Sequence, residues 1–422
     1  MRIEIICTGD EVLTGKIINT NFAYLSQKLE DVGLSVSRET TVGDDRESLL
    51  QAFRSAGERA DAVIVNGGLG PTVDDLSQEV AAQAAGVELV LSELWLERMK
   101  EFFSRRSRVM PPNNTKQAML PAGGELIDNP IGTACGFAVD IGRARFFFTP
   151  GVPRELRRML EEQVIPRLLA RSGLQATIHL KRFHSYGLGE SHVDSLLAGV
   201  NDLVPDGSVK LGFRAHYPQL ETKLTVRGTD MDDVQRKLAP VVEEVRKRLG
   251  NFIFGEDDQT LEGVVLAALA ARSATLSIVE TFTGGQVAAR LAHLPGAEKV
   301  FRRGTIARDA AEVYAAVGLD GAAAGAITRE SAEAVARAAR AQSGATHALA
   351  VLVDLDEGGD RLEFGGAICL AIATDGGVAS RRSRIVGGRE WVRLGAVELA
   401  LDCLRRHLQG LPVTERIDFE KV

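Results

Sequence analysis

The chain has 422 residues, of which 45% are hydrophobic and 25% charged, a composition typical of folded soluble proteins and not of disordered ones. This length predicts two or three domains, since one hydrophobic core rarely serves more than about 250–300 residues. The formal net charge of −7 argues against a surface built for nucleic acid or anionic membrane, so small molecules are the expected ligands.

The four cysteines are scattered along the chain: Cys7, Cys135, Cys369 and Cys403. Because no two are close in sequence, they predict free thiols rather than a zinc site or a disulfide framework. No apolar run approaches the roughly 18 residues that a membrane span requires. The first residues also lack a signal-peptide pattern. We therefore expect a cytoplasmic protein.

Strand and helix patterns alternate in the first segment, residues 1–171. We predict strands at residues 3–7, 63–66 and 145–148 and helices at residues 21–32 and 77–85. Strands separated by helices imply a parallel sheet covered on both faces. Ligands of such sheets bind at the carboxyl ends of the strands. The loops at residues 8–11, 67–75 and 149–153 directly follow strands and are expected to meet there.

A glycine loop directly follows the second predicted strand. Gly67, Gly68 and Gly70 allow backbone conformations that bring amide groups close to an anion. Asp74 and Asp75 end this loop and offer oxygen ligands for a divalent cation. The loop therefore predicts a phosphate and metal site. The competing interpretation is a simple turn between strand and helix with both carboxylates in solvent.

Two further carboxylates, Asp44 and Asp45, precede a helix predicted to start near Glu47. Asp45 is expected to cap this helix, because a carboxylate is favoured at the positive helix end. Asp44 is the better candidate for the site.

The remaining segments are predicted as a small α+β module at residues 172–255 and a second α/β domain at residues 256–422. In the module we predict strands at residues 178–183, 210–213 and 221–227 and helices at residues 191–197 and 231–249. In the last domain a strand at residues 276–279 leads into a loop and a helix, and Thr328 is expected to cap a later helix.

A series of motifs in the first segment resembles the CinA family. They are Gly9-Asp-Glu-Val-Leu-Thr-Gly15, Asn19-Thr-Asn21, Val42-Gly-Asp-Asp45, Gly67-Gly-Leu-Gly-Pro-Thr-Val-Asp-Asp75, Asn113-Asn-Thr-Lys-Gln-Ala118, Gly132-Thr-Ala-Cys-Gly-Phe137 and Pro150-Gly-Val-Pro-Arg-Glu155. The segment is also similar, more distantly, to the molybdopterin-binding fold of molybdenum cofactor biosynthesis enzymes. The resemblance implies a three-layer αβα domain.

The resemblance implies a pyrophosphatase that uses a divalent metal (magnesium, cobalt or manganese) to split ADP-ribose into AMP and ribose 5-phosphate. Asp44, Asp75 and Lys116 are the expected catalytic residues, and Asp44, Asp74 and Asp75 the expected metal ligands. The expected substrate-binding residues are Gly67, Gly68, Gly70, Thr72, Asn114, Gln117, Gly151 and Glu155. Lys116 can neutralise a phosphate oxygen, and Glu155 can contact metal or ribose. The alternative for Lys116, Asn114 and Gln117 is an ordinary exposed helix start.

The middle module is similar to the KH-like module of CinA proteins at Tyr186-Gly-Leu-Gly-Glu-Ser191. A KH loop that binds nucleic acid has basic flanks, whereas Glu190 here would face phosphate. We therefore favour a spacer or a dimer contact over RNA binding. Glu190 and Ser191 are expected to cap the following helix. The resemblance also implies a homodimer.

The last domain resembles the CinA C-terminal domain, typically a nicotinamide-mononucleotide deamidase. Four segments carry the resemblance: Val279-Glu-Thr-Phe-Thr-Gly-Gly285, Phe301-Arg-Arg-Gly304, Gly325-Ala-Ile-Thr328 and Gly388-Arg-Glu-Trp-Val-Arg393. Thr283, Gly284 and Gly285 match the family motif, but Thr281 replaces its serine nucleophile.

Two more parts of the deamidase motif are changed. Arg308 and Val313 take the places of a tyrosine and a lysine, and Leu352-Val-Asp-Leu-Asp356 replaces a glycine-rich loop. A threonine nucleophile still needs a base. We therefore predict that the fold is kept without deamidase activity, while Arg389 and Arg393 hold a phosphate or a subunit contact.

Two other functions stay open at this point. The first segment can bind molybdopterin or another nucleotide diphosphate, because a shared fold permits different substrates. The whole chain can also be a non-catalytic nucleotide sensor or scaffold.

Overall fold

The computed structural model describes residues 1–173, 177–323, 325–356 and 364–421. They form two compact units, Met1–His179 and Leu180–Val422. The boundaries near residues 171 and 255 that the sequence indicates for three domains stay a prediction.

The first unit is built on a mixed sheet. Its strands are β1 (Ile3–Thr8), β2 (Val36–Val42), β3 (Ala62–Asn66), β4 (Leu89–Leu91), β5 (Met119–Pro121), β6 (Glu125–Ile127), β7 (Gly136–Ile141) and β8 (Ala144–Thr149). Six of them form one sheet in the order β2-β1-β3-β8-β7-β6, and β4 pairs with β5.

The first four strands of that order pair in parallel. The two remaining pairs, β8 with β7 and β7 with β6, are antiparallel. The expectation of a parallel sheet therefore holds where the predicted ligand site lies and is wrong at one edge. The reason is the tight turn at Gly142, which has a φ of 61°. Such a short turn joins only antiparallel strands.

Helices cover both faces of this sheet. They are α1 (Asp10–Leu13), α2 (Thr20–Asp31), α3 (Arg46–Arg59), α4 (Ser77–Ala85), α5 (Glu93–Ser104), α6 (Pro153–Met159) and α7 (Ile165–Ser172), with a 3-10 helix at Pro112–Ala118 and a π-helical turn at Leu160–Val164. Successive strand residues point to opposite faces. Ile6 and Val63 accordingly pack with α3 and α4, while Ile5 and Ile64 pack with α2, α6 and α7. Three layers result, as the sequence predicted.

The middle module forms a four-stranded antiparallel sheet in the order β10-β11-β9-β12. Its elements are β9 (Thr177–Tyr186), α8 (Glu190–Leu196), a 3-10 helix (Val200–Leu203), β10 (Val209–His216), β11 (Gln219–Gly228), α9 (Met231–Leu249), a 3-10 helix (Gly250–Phe252) and β12 (Ile253–Glu256). The predicted cap at Glu190 and Ser191 is wrong, since α8 begins at Glu190 with Gly189 as its N-cap. The Gly189 amide donates to Asp418 Oδ2 at 2.8 Å, which holds the residue before the helix in place.

The last domain has a second six-stranded sheet. Its strands are β13 (Leu276–Glu280), β14 (Phe301–Ile306), β15 (His347–Leu355), β16 (Gly365–Thr374), β17 (Gly377–Val386) and β18 (Glu420–Lys421). Its helices are α10 (Leu261–Ala271), α11 (Gln286–Ala292), α12 (Ala297–Val300), α13 (Ala310–Ala316), α14 (Arg329–Ser343) and α15 (Arg389–Gln409), with a 3-10 helix at Gly321–Ala323.

The strand order of this sheet is β14-β13-β15-β16-β17-β18. The first three strands of this order pair in parallel. Each following pair of neighbouring strands, from β15 with β16 to β17 with β18, is antiparallel. Thr328 caps α14 as predicted, because its hydroxyl accepts a hydrogen bond from the Ser331 amide at 3.1 Å.

Two expectations about the whole chain concern membranes and thiols. Across the described ranges, no helix is long and apolar enough to cross a membrane. All four cysteines are buried and free, as their spacing predicted.

Candidate active site

A cleft of about 420 Å³ lies at the carboxyl ends of β1, β3 and β8. Of the residues predicted for the site, those that line the cleft are Asp44, Gly67, Gly68, Gly70, Asp74, Asp75, Gln117, Gly151 and Glu155. Thr72, Lys116 and Asn114 instead take part in the hydrogen bonds that hold the glycine loop, residues 67–75. The tertiary fold thus brings the predicted residues together around one cleft.

The glycines of the loop are required by close packing. Gly67 and Gly68 have φ values of 112° and 67°, a region that favours glycine. A Cβ atom at Gly67 would lie 2.5 Å from Thr8 Oγ1, and one at Gly68 would lie 2.4 Å from Ser77 Oγ. Ser77 Oγ also donates to the Gly67 carbonyl at 2.9 Å. The loop is therefore shaped by its neighbours as much as by its own residues.

The loop amides are not equally available to a ligand. The Gly67 amide donates to the Thr149 carbonyl at 2.9 Å, so it is already used. The amides of Gly68 and Gly70 make no hydrogen bond to other described residues. Backbone amides left unpaired beside a cleft attract an anion. The anion site predicted for Gly67 to Gly70 is therefore expected at the amides of Gly68 and Gly70.

Thr8, at the end of β1, lines the cleft but was not among the residues predicted for the site. Its side chain is only 6% exposed, and its hydroxyl has no hydrogen-bond partner among the described residues. An unsatisfied buried hydroxyl is costly and rare in folded proteins. Its position at the end of a buried strand, directly before the loop at Gly9, was the signal available in the sequence.

Asp75 and Lys116 hold the far end of the glycine loop. The Asp75 carboxylate accepts from the Thr72 amide at 2.8 Å and also from the Thr72 hydroxyl. Lys116 Nζ donates to the Thr72 carbonyl at 2.8 Å and lies 3.7 Å from Glu79 Oε1. Both side chains therefore stabilise the conformation of the loop through hydrogen bonds to Thr72.

Asn114 and Gln117 lie on the 3-10 helix and are buried. Asn114 Nδ2 donates to Gln117 Oε1 at 2.8 Å, and Gln117 Nε2 donates to the Leu69 carbonyl at 3.2 Å. They are therefore not an exposed helix start. Among the described residues, Asn114 contacts the loop through its hydrogen bond to Gln117, and Gln117 also lines the cleft.

Asp44 faces a group of other carboxylates. The Asp10 amide donates to Asp44 Oδ2 and the Asp44 amide donates to Asp10 Oδ1, each at 3.2 Å. Burial raises the pKa of Asp44, and the negative charges of Asp10, Glu11 and Asp74 raise it further. A hydrogen bond from the Thr72 side chain lowers the pKa of Asp74.

The neighbouring Asp45 has a different role. Its side chain accepts from the Ser48 amide at 2.8 Å and caps α3, as the sequence predicted. Asp44 and Asp45 are adjacent in sequence, yet only Asp44 lines the cleft.

A buried amide network fixes the loop around Gly151. Asn66 Nδ2 donates to the Pro150 carbonyl at 2.7 Å, and Asn21 Nδ2 donates to Asn66 Oδ1 at 2.9 Å and to the Gly151 carbonyl at 2.7 Å. Asn66 was not among the residues predicted for the site. A polar side chain at the end of the apolar run from residue 63 was the available signal.

Glu155 lies at the other end of the cleft. Asn129 Nδ2 donates to Glu155 Oε2 at 2.7 Å, and burial raises the pKa of this carboxyl group. Asn129 Oδ1 also accepts from the Gly132 amide at 3.1 Å, so it holds its own loop in place. No pattern in the sequence pointed to Asn129.

In the last domain Thr281 is almost completely buried, at 1% exposure. Its hydroxyl accepts from the Val353 amide at 2.9 Å. Thr283 Oγ1 donates to Glu280 Oε2 at 2.7 Å, and the Glu280 carboxylate also accepts from the Ala288 amide at 2.9 Å. The carboxylate of Glu280 therefore occupies the start of α11.

The positions aligned with the deamidase tyrosine and lysine differ in surroundings. Arg308 is exposed, whereas Val313 is fully buried in an apolar cluster with Val279 and Val317. Arg393 pairs with Glu390, with Nε 2.9 Å from Oε2. Gly284 and Gly285 have φ values of 66° and 85° in the turn before α11.

Three family profiles match consecutive parts of the chain. "Probable molybdopterin binding domain" matches residues 4–170, "Damage-inducible protein CinA KH domain" residues 180–255, and "CinA C-terminal domain" residues 258–408. These matches confirm the predicted fold class.

Relatives match the chain over nearly its whole length. A CinA-like protein of Shewanella loihica is 39% identical over 98% of this chain and 97% of its own. The nicotinamide-nucleotide amidohydrolase PncC of Shewanella oneidensis is 35% identical over 100% of this chain and 99% of its own. A crystal structure of CinA from Thermoplasma acidophilum is 34% identical and covers 39% of this chain and 96% of that one, with a TM-score of 0.37. On the evidence of these full-length relatives, the chain belongs to the CinA family.

Proposed function

We propose that the first domain hydrolyses the diphosphate of ADP-ribose to AMP and ribose 5-phosphate. The observation that carries this proposal is the cleft itself. Its lining residues Gly68, Gly70, Thr8 and Asp44 include two amides and a hydroxyl that bond to no other described residue. Several hydrogen-bond donors at one cleft suit a diphosphate, whose oxygens accept several hydrogen bonds at once. The carboxylates on the same cleft suit a cation that accompanies it.

The reaction joins a water oxygen to one phosphorus and breaks the bond from that phosphorus to the bridging oxygen. The bridging oxygen leaves with the other phosphate, and the protons of the water pass to product oxygen or solvent. The amides of Gly68 and Gly70 stabilise the negative charge that develops on the phosphate oxygens. Lys116 holds the Thr72 carbonyl and adds positive charge beside the loop.

A divalent metal, magnesium, cobalt or manganese, is part of this proposal. Among the described residues, no three His, Cys, Asp or Glu side chains are already placed to hold an ion. Magnesium is commonly bound by one or two carboxylates together with substrate phosphates and water, and this donor set fits that pattern. Asp44 would hold the metal, with Asp10 or Asp74 beside it. When bound, it offsets diphosphate charge.

Asp75 is proposed to act through the conformation of the glycine loop. Its carboxylate is bonded within the loop to Thr72, so its main effect is to keep the loop in the shape that presents the Gly68 and Gly70 amides. Loss of Asp75 is therefore expected to weaken the site through the loop, whether or not it also contacts the metal.

We further propose that the last domain lacks deamidase activity, unlike the enzyme that the name PncC describes. The Thr281 hydroxyl is buried and accepts from a backbone amide, and the position expected to supply a lysine is the buried Val313. A hydroxyl nucleophile needs a base within hydrogen-bond reach. The predicted phosphate or subunit contact at Arg389 and Arg393 and the predicted homodimer stay predictions.

The test compares two adjacent carboxylates. We expect Asp44→Asn to lower AMP release from ADP-ribose at least about 100-fold, because it removes a carboxylate that would hold the metal at the reacting phosphates. Asp45→Asn is the matched control, since asparagine also caps helices well and should leave the rate unchanged. Chelation of the metal should abolish the wild-type reaction, and magnesium, cobalt or manganese should restore it.

Nicotinamide mononucleotide is assayed in parallel for ammonia. AMP without ammonia supports both parts of the proposal, whereas ammonia release would refute the inactive deamidase. If ADP-ribose binds without turnover, a nucleotide sensor or scaffold replaces the enzyme. If molybdopterin competes for the cleft and ADP-ribose does not bind, the first domain has a different substrate.

A further inference from the structure

We propose that the glycine loop of the middle module, residues 187–189, is a docking site for the chain's own C-terminal tail and not for nucleic acid. The tail, residues 411–421, follows α15 and ends in β18. It bonds to the middle module and to the last domain, and in doing so it locks the two together. The proposal concerns the second unit alone and does not rest on the proposed hydrolysis.

Hydrogen bonds join the tail to the glycine loop. The Asp418 amide donates to the Gly187 carbonyl at 2.8 Å, and Asp418 Oδ2 accepts from the Gly189 amide at 2.8 Å. The same carboxylate oxygen lies 2.9 Å from His192 Nδ1, in the first turn of α8. These donors are therefore already used within the chain, and a nucleic-acid phosphate would have to displace the Asp418 carboxylate to reach them.

The glycine at position 187 is explained by the tail. Its φ of 102° lies in the region that favours glycine, and a Cβ atom there would lie 2.6 Å from Ile417 Cγ2. Ile417 is 1% exposed and packs in the core of the last domain. Gly187 therefore makes room for a buried side chain of the tail. In a KH module that binds nucleic acid, the glycine loop instead clamps the nucleotide backbone.

The charges around the loop also oppose a nucleic acid. Glu190 is exposed directly after the loop, and Asp418 adds a second exposed carboxylate beside it. Binding to nucleic acid depends mainly on lysine and arginine side chains that neutralise phosphates. Two carboxylates at the loop would repel those phosphates, whereas the Asp418 carboxylate is held by the loop's own donors.

The other part of the tail is fixed to the last domain. Arg381 on β17 is 4% exposed, and its Nη2 donates to Glu420 Oε2 at 2.8 Å. Its Nη1 donates to the Val413 carbonyl at 2.9 Å, near the start of the tail. Ser383 Oγ also donates to Glu420 Oε2 at 2.5 Å. One buried guanidinium group thus holds the tail near both of its ends.

The tail also contacts the hairpin that joins β10 and β11. The Phe419 ring centroid lies 5.8 Å from that of Tyr217 at the hairpin tip, with the rings edge to face. On the last domain, the Trp391 ring centroid lies 4.0 Å from that of Tyr217. The tail therefore holds the module at the glycine loop and at the hairpin tip while it is anchored on β17.

Hydrogen-exchange mass spectrometry of the full-length protein tests the docking. Asp418→Ala removes the acceptor of the Gly189 amide and should speed exchange in the peptide 187–196 about tenfold, the effect of losing one charge-assisted hydrogen bond. Arg416→Ala changes an exposed tail residue two positions away and is the matched control, which should exchange like the wild type.

A second variant tests the lock. Ile417→Asp places a charge at a buried position and should release the tail. Exchange should then rise both in the peptide 187–196 and at the hairpin tip, residues 216–219, and stay unchanged in residues 1–170. Fluorescence polarisation with a labelled single-stranded RNA of mixed sequence should show no binding by the wild type or by this variant.

The docking is overturned if Asp418→Ala exchanges like Arg416→Ala, and the lock is overturned if the hairpin tip of Ile417→Asp exchanges like the wild type. If Ile417→Asp does not fold, the comparison of Asp418→Ala with Arg416→Ala decides by itself. RNA binding by either protein refutes the exclusion of nucleic acid, and binding only after release of the tail would make the tail a cover for a nucleic-acid site. AMP release from ADP-ribose should be the same in all these proteins, so a failure of the proposed hydrolysis is seen separately.

Discussion

Thr8 combines two properties that rarely occur together in one side chain. It is buried, yet its hydroxyl makes no hydrogen bond within the described ranges, and it lines the cleft. Leaving such a group unpaired costs about 1–3 kcal/mol. A bound phosphate oxygen would accept its hydrogen bond and remove that cost. On the proposed function, Thr8 would therefore favour the ligand-bound state over the free protein.

We predict that Thr8→Val lowers kcat/KM for ADP-ribose about tenfold, since one hydrogen bond to a charged group is worth about 1.5–3 kcal/mol. The melting temperature should stay equal or rise, because valine keeps the shape and removes the unpaired hydroxyl. Thr8→Ser keeps the hydroxyl and should retain most activity. Steady-state kinetics and thermal unfolding of both variants provide the check; wild-type kcat/KM in Thr8→Val would contradict the assignment.

The contrast between Asp44 and Asp45 shows what neighbours in sequence can and cannot reveal. The cap at Asp45 was predictable because it depends on an amide three residues away, that of Ser48. The surroundings of Asp44 depend on Asp10, at the end of a different strand. No local pattern at residue 44 indicates that partner.

At the scale of elements, the 3-10 helix Pro112–Ala118 supports the glycine loop from behind. Its two buried amides form a chain in which Asn114 positions Gln117, and Gln117 binds the Leu69 carbonyl. Neither contact can form unless both elements are in place. The loop geometry is thus a property of two segments and not of the glycines alone.

We expect Asn114→Ala to destabilise the first unit by about 1–3 kcal/mol, because it leaves the buried Gln117 amide oxygen unpaired. It should also lower kcat/KM, since the Leu69 carbonyl loses its fixed donor and the loop relaxes. The exposed neighbour Asn113 offers the control, and Asn113→Ala should change neither quantity. Denaturant unfolding and ADP-ribose kinetics measure the two effects; equal behaviour of the two variants would argue against the support role.

Element prediction succeeded where a segment's pattern is set by its own burial. The fully buried strands β1 and β3 are mostly apolar and were predicted nearly to their ends. The strand β2 was missed because most of its residues are polar and only one is buried, and because it lies at the sheet edge, paired with β1. Its strand conformation comes from that partner, which its own sequence does not encode.

At the scale of the whole molecule, α15 carries a buried ion network in the second unit. The Asp402 carboxylate accepts from Arg405 Nε at 2.8 Å and from Arg406 Nε at 2.7 Å, with all three side chains buried. Arg405 Nη2 also donates to the Asn251 carbonyl at 2.8 Å. The helix of the last domain is thereby bonded to the middle module, and their stabilities are expected to be linked.

We therefore predict that Asp402→Ala destabilises the second unit by about 3–5 kcal/mol, because it removes the carboxylate that two buried guanidinium groups share, of which Arg406 keeps a second partner in Glu415. Glu390→Ala breaks an exposed pair on the same helix and should cost about 0–1 kcal/mol. Denaturant unfolding of the full chain compares them. If the two variants unfold alike, the network contributes little to the linkage.

By itself the sequence determined the features whose causes lie within a few residues. These are the buried apolar strands, the caps at Asp45 and Thr328, the positive-φ glycines of the loop, and the family motifs. Each follows from local backbone conformation or from the period of apolar residues.

Only the tertiary structure decided which side chains meet. It placed the Thr8 hydroxyl next to Gly67 and the Asp75 carboxylate in a hydrogen bond to Thr72 of the same loop. It also bonded Asn129 to Glu155 and formed a cavity beside Val152. The physical reason is that these contacts join residues on different elements, so they form only once sheet order and helix packing bring those elements together.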